Sequence, residues 1–157
     1  MRLMIKQRVF TLTDQYYVYD ESGEIRYEVK NDLFSLRHQL HVFDSRSGRE
    51  IGAAYQALFR LLPEFTIAIG GKHVGSISKE FSFFVPKYTV DFRGWDVEGD
   101  LMNWEYTVTQ NGRTVMAITK ELFTWGDTYM LDYSDPADEL PGLMLVLAID
   151  AVNCDRN

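Results

Sequence analysis

The chain has 157 residues, which predicts a single domain over residues 1–157, and 14% of them are aromatic. Its formal net charge of −7 argues against broad electrostatic binding to nucleic acid, so we predict no nucleic-acid partner. No apolar run reaches the ~18 residues that a membrane-spanning helix needs, and residues 1–8 lack the apolar core of a secretory signal.

The chain begins with a predicted pair of strands at about residues 4–12 and 15–20. Glycine-containing turns then recur along the sequence, and glycine tolerates the positive φ that tight antiparallel turns require. These turns are predicted at Glu21-Ser22-Gly23, Ser45-Arg46-Ser47-Gly48, Gly70-Gly71 and Asn111-Gly112. The spacing is typical of successive β-hairpins.

An internal repeat supports the hairpin interpretation. A shift of 41 residues places Gly71–Phe81 on Gly112–Leu122, so that Lys79 falls on Lys120. Shorter shifts relate the earlier segments to one another in the same way. The repeated unit contains a glycine turn, a strand, an aromatic or leucine-rich stretch and a second strand, and it recurs about four times.

The 41-residue step is longer than the others and predicts an inserted hairpin between Phe92 and Trp104, turning near Gly94 or Gly99. Two strands per repeat, the N-terminal pair and the inserted hairpin together predict about twelve strands in a mostly β (α+β) fold. So many strands in one domain either close into a barrel or stack as two sheets, because both arrangements limit exposed edges.

The C-terminal region differs from the rest and predicts one helix from about Asp138 to Val152. Residues Leu143 to Ile149 are all apolar, and a helix that is apolar on every side must be enclosed. Its length of ~22 Å suits the interior of a small barrel, so we expect the strands to surround it. The only cysteine, Cys154, rules out a disulfide within the chain and predicts a cytoplasmic protein.

Four segments, taken in order, resemble the LURP-one-related family of Tubby C-terminal-like proteins. They are Leu33–His38 (LFSLRH), Ser82–Tyr88 (SFFVPKY), Trp125–Tyr129 (WGDTY) and Leu145–Val152 (LVLAIDAV). The similarity extends from about Arg8 to Val152. It implies a closed antiparallel barrel of about twelve strands around a hydrophobic C-terminal helix. It also implies a link to membranes, since Tubby domains bind phosphoinositides and phospholipid scramblases share the fold.

The sequence predicts neither an enzyme nor a bound cofactor. Ser76 and Lys79 have the spacing of a Ser-x-x-Lys nucleophile, but that motif needs a helix start and this segment is predicted as a strand. His38 and His41 would diverge in a strand, and His73 adjoins a turn, so no metal site is predicted.

Four cations are candidate ligand-binding residues. Lys79 and Lys120 alternate in phase with apolar neighbours, whereas Lys72 and Arg113 occupy equivalent turns. A β-bulge, or a side chain extending to solvent at a barrel rim, would also explain the two lysines. The leading hypothesis is a non-catalytic module that recognises a phospholipid headgroup or another anionic ligand at a barrel edge. The alternatives are a regulatory protein–protein interaction module and, third, an enzyme of unknown type.

Asp150 interrupts the apolar helix near its C-terminus, where the helix dipole disfavours a negative charge. A buried carboxylate there needs donors. The candidate partners are Lys79 or Lys120, an arginine, or indole, phenol and backbone donors from inward-facing strands. Alternatively, the helix leaves the barrel near Asp150 and the carboxylate contacts water.

Overall fold

The structure is a computed structural model that describes residues 1–6, 15–32, 35–123 and 126–154. Within these ranges the chain forms twelve strands, a short 3-10 turn and one α-helix. The strands are β1 Arg2–Lys6, β2 Gln15–Asp20, β3 Ile25–Asp32, β4 Gln39–Asp44, β5 Glu50–Gln56, β6 Glu64–Ile69, β7 Lys72–Glu80, β8 Lys87–Phe92, β9 Asp96–Asp100, β10 Glu105–Gln110, β11 Arg113–Phe123 and β12 Gly126–Tyr133. The turn is Pro136–Asp138, and the helix α1 is Glu139–Cys154.

The twelve described strands form a nearly closed antiparallel barrel, which confirms the predicted fold. Each strand except β8 pairs with the next strand along the chain, and β1 also pairs with β12, which brings the first and last strands together. The hydrogen-bonded ladder stops between β8 and β9, which are the two edges of the sheet. The barrel therefore has one open seam.

The strand register confirms the internal repeat. Lys79 on β7 lies opposite Tyr88 on β8, and Lys120 on β11 lies opposite Tyr129 on β12. Both the lysines and their tyrosine neighbours are related by the same 41-residue shift. Residues that match in the sequence therefore occupy equivalent places in two parts of the barrel.

The predicted inserted hairpin is wrong, because the insertion contributes one strand, β9. The chain turns at Gly94, with φ of 64°, but Gly99 lies within β9 and has φ of 128°. A Cβ at Gly99 would come 2.5 Å from the carbonyl oxygen of Glu105 on β10. Gly99 thus permits close approach of two strands, which a sequence pattern does not distinguish from a turn.

The helix α1 fills the barrel, as the sequence predicts. Its residues from Pro141 to Ile149, together with Ala151 and Val152, are buried. Close packing requires glycine on both sides, since a Cβ at Gly52 would meet Met144 and one at Gly142 would meet Met116 of β11. In the described part of the chain, no helix is long and apolar enough to cross a membrane.

The start of α1 is fastened to the barrel by Glu139. Its carboxylate accepts a hydrogen bond of 3.0 Å from Nε of Arg26 and further hydrogen bonds from the hydroxyls of Tyr27 and Tyr133. Burial, followed by the contact with Glu139, raises the pKa of both tyrosines. Three strand side chains thereby converge on the first residue of the helix.

The helix also bridges the open seam. Near its start, Asp138 lies 3.4 Å from the guanidinium of Arg93 in the β8–β9 turn. Near its C-terminus, the Asn153 amide donates to the carbonyl of Leu101 at 3.0 Å and accepts from the Tyr88 hydroxyl. Asn153 thereby links the two sides of the seam where backbone pairing is absent, and Arg93 links the β8–β9 turn to the start of the helix.

The two ends of the barrel differ in their connections. The turn end comprises the tight β2–β3, β4–β5, β6–β7, β8–β9 and β10–β11 turns and the start of α1. The loop end comprises the β3–β4, β5–β6, β7–β8 and β9–β10 loops and the C-terminus of α1. The connection between β1 and β2, at residues 7–14, lies outside the described residues.

Candidate functional site

The four cations predicted to bind a ligand do not form one site. Lys72 and Arg113 begin β7 and β11 at the turn end, where both side chains are exposed. Lys79 and Lys120 lie near the opposite ends of the same strands, at the loop end. The barrel length therefore separates the two predicted pairs.

Lys79 and Lys120 are half-buried and follow the inward-facing Ile77 and Ile118 by two positions. The ammonium of Lys120 lies 5.9 Å from the centroid of the Tyr129 ring, which stacks in turn on Trp104. This contact is a cation–π interaction between the Lys120 ammonium and the Tyr129 ring. Both lysines thus lie near the loop-end termini of their strands, at the mouth of the barrel.

Asp150 does not pair with either lysine. Among the described residues no Lys or Arg lies within ion-pair distance, and its polar contact is the Cys154 thiol at 3.9 Å. Burial raises the pKa of Asp150 to about 6. Burial, and then the charge of Asp150, also raises the pKa of Tyr16 and Tyr106. The predicted Asp150–lysine pair is therefore absent among the described residues, and the Lys120 ammonium lies over the Tyr129 ring instead.

The loop end exposes a set of large apolar side chains that we call the apolar rim. The most exposed are Phe59 at 103% relative accessibility and Leu36 and Phe84 at 97%. The rim consists of Leu36, Leu58, Phe59, Leu61, Phe81, Phe83, Phe84, Val85, Met102 and Leu122. Exposed hydrophobic patches of this kind are unusual unless they serve binding.

Local structure holds the rim side chains outside. In the β5–β6 loop, Phe59 has a positive φ of 60°, a conformation that is uncommon for an aromatic residue. In the β7–β8 loop, the Ser82 hydroxyl donates to the carbonyl of Val85, and the rings of Phe81 and Phe83 meet edge to face at 5.0 Å. The rim is therefore built from folded loops.

Among the described residues, a groove at the turn end and a groove near the loop end both contain arginine, and the two grooves differ in charge. One, of about 260 Å³, lies at the turn end, where Asp132 accepts two hydrogen bonds from Arg2. The other, of about 320 Å³, adjoins the loop end and contains Arg37. Its lining residues are Arg37, Tyr55, Gln56, Ala57, Thr66 and His73. None of these is acidic.

Sequence reasoning misses the rim and Arg37 as functional candidates. The available signal is the occurrence of bulky apolar residues in connections, as in Leu58–Leu61, instead of in alternating strand positions. The other chemistry is sparse: among the described residues, no three His, Cys, Asp or Glu side chains converge as a metal site requires.

Comparisons with known proteins agree with the architecture. The model of the LURP-one-related family matches residues 1–150. The chain is 32% identical over 152 residues to the uncharacterised protein YxjI of Bacillus subtilis (strain 168), covering 97% of this chain and 93% of YxjI. It also resembles an X-ray structure of a protein from Arabidopsis thaliana, with a TM-score of 0.64, 13% identity and coverage of 97% and 91% of the two chains. The latter similarity shows the fold alone.

Proposed function

The chain belongs to the LURP-one-related family, and we propose that it is a non-catalytic module that docks through its loop end on an anionic phospholipid surface. The apolar rim is the observation that carries this proposal. Its side chains project from several separate loops. A bilayer surface can adapt to such projections, which resemble the apolar anchors of peripheral proteins.

The free energy gained by inserting the rim side chains into a bilayer is sufficient for reversible binding. Full burial of one Leu or Phe side chain stabilises by about 1.5–3 kcal/mol. Partial insertion of Leu36, Phe59 and Leu61, each more than 90% exposed, would therefore contribute several kcal/mol. An affinity in the micromolar range corresponds to about −8 kcal/mol, so a few rim residues with some electrostatic help are enough.

The charge distribution favours the same orientation. Arg37 lies in the β3–β4 loop beside the exposed rim residue Leu36, whereas Arg60 in the β5–β6 loop forms an ion pair with Glu64 at 3.3 Å. At the turn end, by contrast, Asp and Glu outnumber Lys and Arg among the described residues. Each cation near an anionic leaflet contributes about 1 kcal/mol, and acids are repelled. The charge of Arg37 would therefore favour approach of the loop end to an anionic membrane, whereas the acids of the turn end would be repelled.

The proposal is tested by co-sedimentation with phosphatidylcholine vesicles that contain or lack about 30% phosphatidylglycerol. We expect binding to the anionic vesicles that weakens with added salt. The Phe59→Ser, Leu61→Ser double variant should lose it. The matched control is Ile25→Ser with Val74→Ser, since these exposed apolar residues lie at the turn end. The control should bind like the unmodified protein.

Two results would contradict the proposal: absence of vesicle binding by the unmodified protein, or equal binding by the rim and control double variants. If vesicles do not bind but the rim variant loses association with a protein, the rim is a protein interface. That outcome would favour the regulatory protein–protein module.

A further inference from the structure

The groove beside the loop end is formed on the outer face of the barrel. Tyr55 on β5 and Thr66 on β6 lie opposite each other, while the neighbouring Ala54 faces the barrel interior. Arg37 closes the groove from the β3–β4 loop, and His73 closes it from β7. The groove therefore collects hydrogen-bond donors from separate segments of the chain.

The position of Arg37 is fixed by an aromatic ring. Its guanidinium lies 5.0 Å from the centroid of the Tyr55 ring. Stacking of this kind orients a guanidinium without using its N–H donors. Among the described residues, no carboxylate lies within ion-pair distance of Arg37, so its charge is available to a ligand.

In the turn-end groove, by contrast, the arginine is neutralised by an ion pair. There Nε and an Nη of Arg2 donate to the Asp132 carboxylate at 2.7 and 3.1 Å, and Glu21 is a further lining acid. The loop-end groove instead offers Arg37 with the Thr66 hydroxyl and the His73 ring, and its lining has no acid. An anion with several oxygens suits this donor set, because a guanidinium fork binds phosphate in a bidentate manner.

The groove is placed where a lipid headgroup would lie. Arg37 follows the rim residue Leu36, and Ala57 precedes the rim residues Leu58 and Phe59. Tyr55 is two strand positions from Ala57, or about 7 Å at the usual rise. The headgroup layer is roughly 5–8 Å thick, so with the rim in the acyl boundary Arg37 and Tyr55 would face phosphate groups. His73, opposite Ala68, lines the side of the groove that lies farther from the rim.

We propose that the groove of Arg37, Tyr55, Thr66 and His73 binds the phosphate of a glycerophospholipid headgroup while the rim contacts the acyl chains. This assignment rests on the proposed membrane docking and specifies how anionic lipid is recognised. The rim supplies apolar affinity for any bilayer, and the groove supplies preference for a lipid whose phosphate is accessible.

The test compares Arg37→Gln with Arg2→Gln in vesicle binding. Both remove an exposed guanidinium, but Asp132 already neutralises Arg2. We expect Arg37→Gln to weaken binding to phosphatidylglycerol vesicles about tenfold, as loss of a charge-assisted hydrogen bond implies, while Arg2→Gln leaves it unchanged. Dihexanoyl phosphatidylglycerol should shift the NMR signals of Thr66 and His73, and Arg37→Gln should abolish the shifts.

The outcomes separate the groove from the docking function. If vesicle binding is lost in the Phe59→Ser, Leu61→Ser variant but unchanged in Arg37→Gln, the groove assignment is overturned and membrane docking stands. If the unmodified protein binds no vesicles and the short-chain lipid leaves Thr66 and His73 unshifted, both are overturned. If inorganic phosphate shifts Thr66 and His73 as strongly as the lipid does, the groove takes a soluble phosphate compound and the lipid assignment is overturned.

Discussion

The turn end and the loop end of the barrel handle their polar and apolar groups in opposite ways. At the turn end, the hydroxyl of Ser22 and backbone amides donate to Asp20, and the Ser47 amide and others donate to Asp44, which lowers the pKa of both carboxyls. At the loop end, large apolar side chains extend into solvent, with Phe59 fully exposed. The turn end exposes far fewer large apolar side chains than the loop end does.

This difference follows from the connectivity of a meander. Alternate connections in such a barrel fall at the same end, so one end can consist of tight turns while the other carries longer loops. Tight turns with glycine, such as Asn111-Gly112, fix the register of each strand pair. The longer loops are free to carry binding residues, because they are not needed for register.

The largest expected difference in stability is between a Leu→Asp substitution in the core and the same substitution on the apolar rim. Leu145 in α1 is fully buried, whereas Leu61 at the loop end is 91% exposed. Leu145→Asp should abolish soluble expression, since an unpaired buried charge costs several kcal/mol against a stability of ~5–15 kcal/mol. Leu61→Asp should fold with a melting temperature close to that of the unmodified protein. Equal melting temperatures for all three proteins would mean that α1 is not the core.

A second contrast lies within the turn end and compares Glu139→Gln with Asp132→Asn. Each carboxylate accepts from an arginine, but Glu139 also accepts from Tyr27 and Tyr133 and is less exposed than Asp132. We expect Glu139→Gln to lower the free energy of unfolding by about 3 kcal/mol and Asp132→Asn by less than about 1 kcal/mol. Urea denaturation measures both. Similar losses would show that the Glu139 contacts contribute no more than a surface ion pair.

Much of the fold could be predicted from the sequence because it is repetitive. The glycine turns and the 41-residue repeat define the strands, and the apolar run from Leu143 to Ile149 requires an enclosure. The open seam could not be predicted, because β8 and β9 have ordinary strand patterns and the seam depends on the bridging contacts of Asn153 and Arg93. Local sequence patterns predict individual strands and helices, whereas closure of the barrel depends on contacts between residues that are distant in the sequence.

The candidate site was less predictable for a physical reason. Cations such as Lys72 and Lys79 were chosen by their phase in the repeat, but one strand carries them to opposite ends of the barrel. Arg37 becomes a candidate only through its stacking on Tyr55, a contact between residues from different elements. A rim residue such as Leu36 is recognisable only when its loop is known to project.

A third prediction concerns the buried side of the loop end, where Asp150 lies near Tyr16, Tyr106 and Cys154. Its folded-state pKa of about 6 exceeds the unfolded value of 3.8, so the folded protein binds this proton more tightly. The stability linked to this group is therefore highest below about pH 4 and falls as the pH rises through 6. Because the side chain is half-buried, we expect a cost of about 1–2 kcal/mol above about pH 7.

Asp150→Asn keeps the shape and removes the titration, so it should be more stable than the unmodified protein by that amount at about pH 7.5. Near pH 4, where both carry an uncharged side chain, the two unfolding free energies should converge. Urea denaturation across this pH range measures the difference. A difference that does not change with pH would show that Asp150 meets water in the folded protein.

The smallest expected changes in unfolding free energy come from substitutions at the two ends of the seam. At the loop end, Asn153→Ala removes the bridge between Leu101 and Tyr88, leaving polar groups unpaired where β8 and β9 share no ladder. We expect a loss of about 1 kcal/mol. At the turn end, Arg93→Gln breaks a more exposed ion pair with Asp138 and should cost less than about 0.5 kcal/mol.

Hydrogen exchange distinguishes a local from a global effect of these seam variants. With Asn153→Ala, amides in the β9–β10 ladder should exchange faster, while those in the β3–β4 ladder, on the far side of the barrel, stay protected. Arg93→Gln is the matched control for opening at the turn end. Uniform acceleration across all ladders by Asn153→Ala would mean that this side chain stabilises the whole barrel and is not a local clasp of the seam.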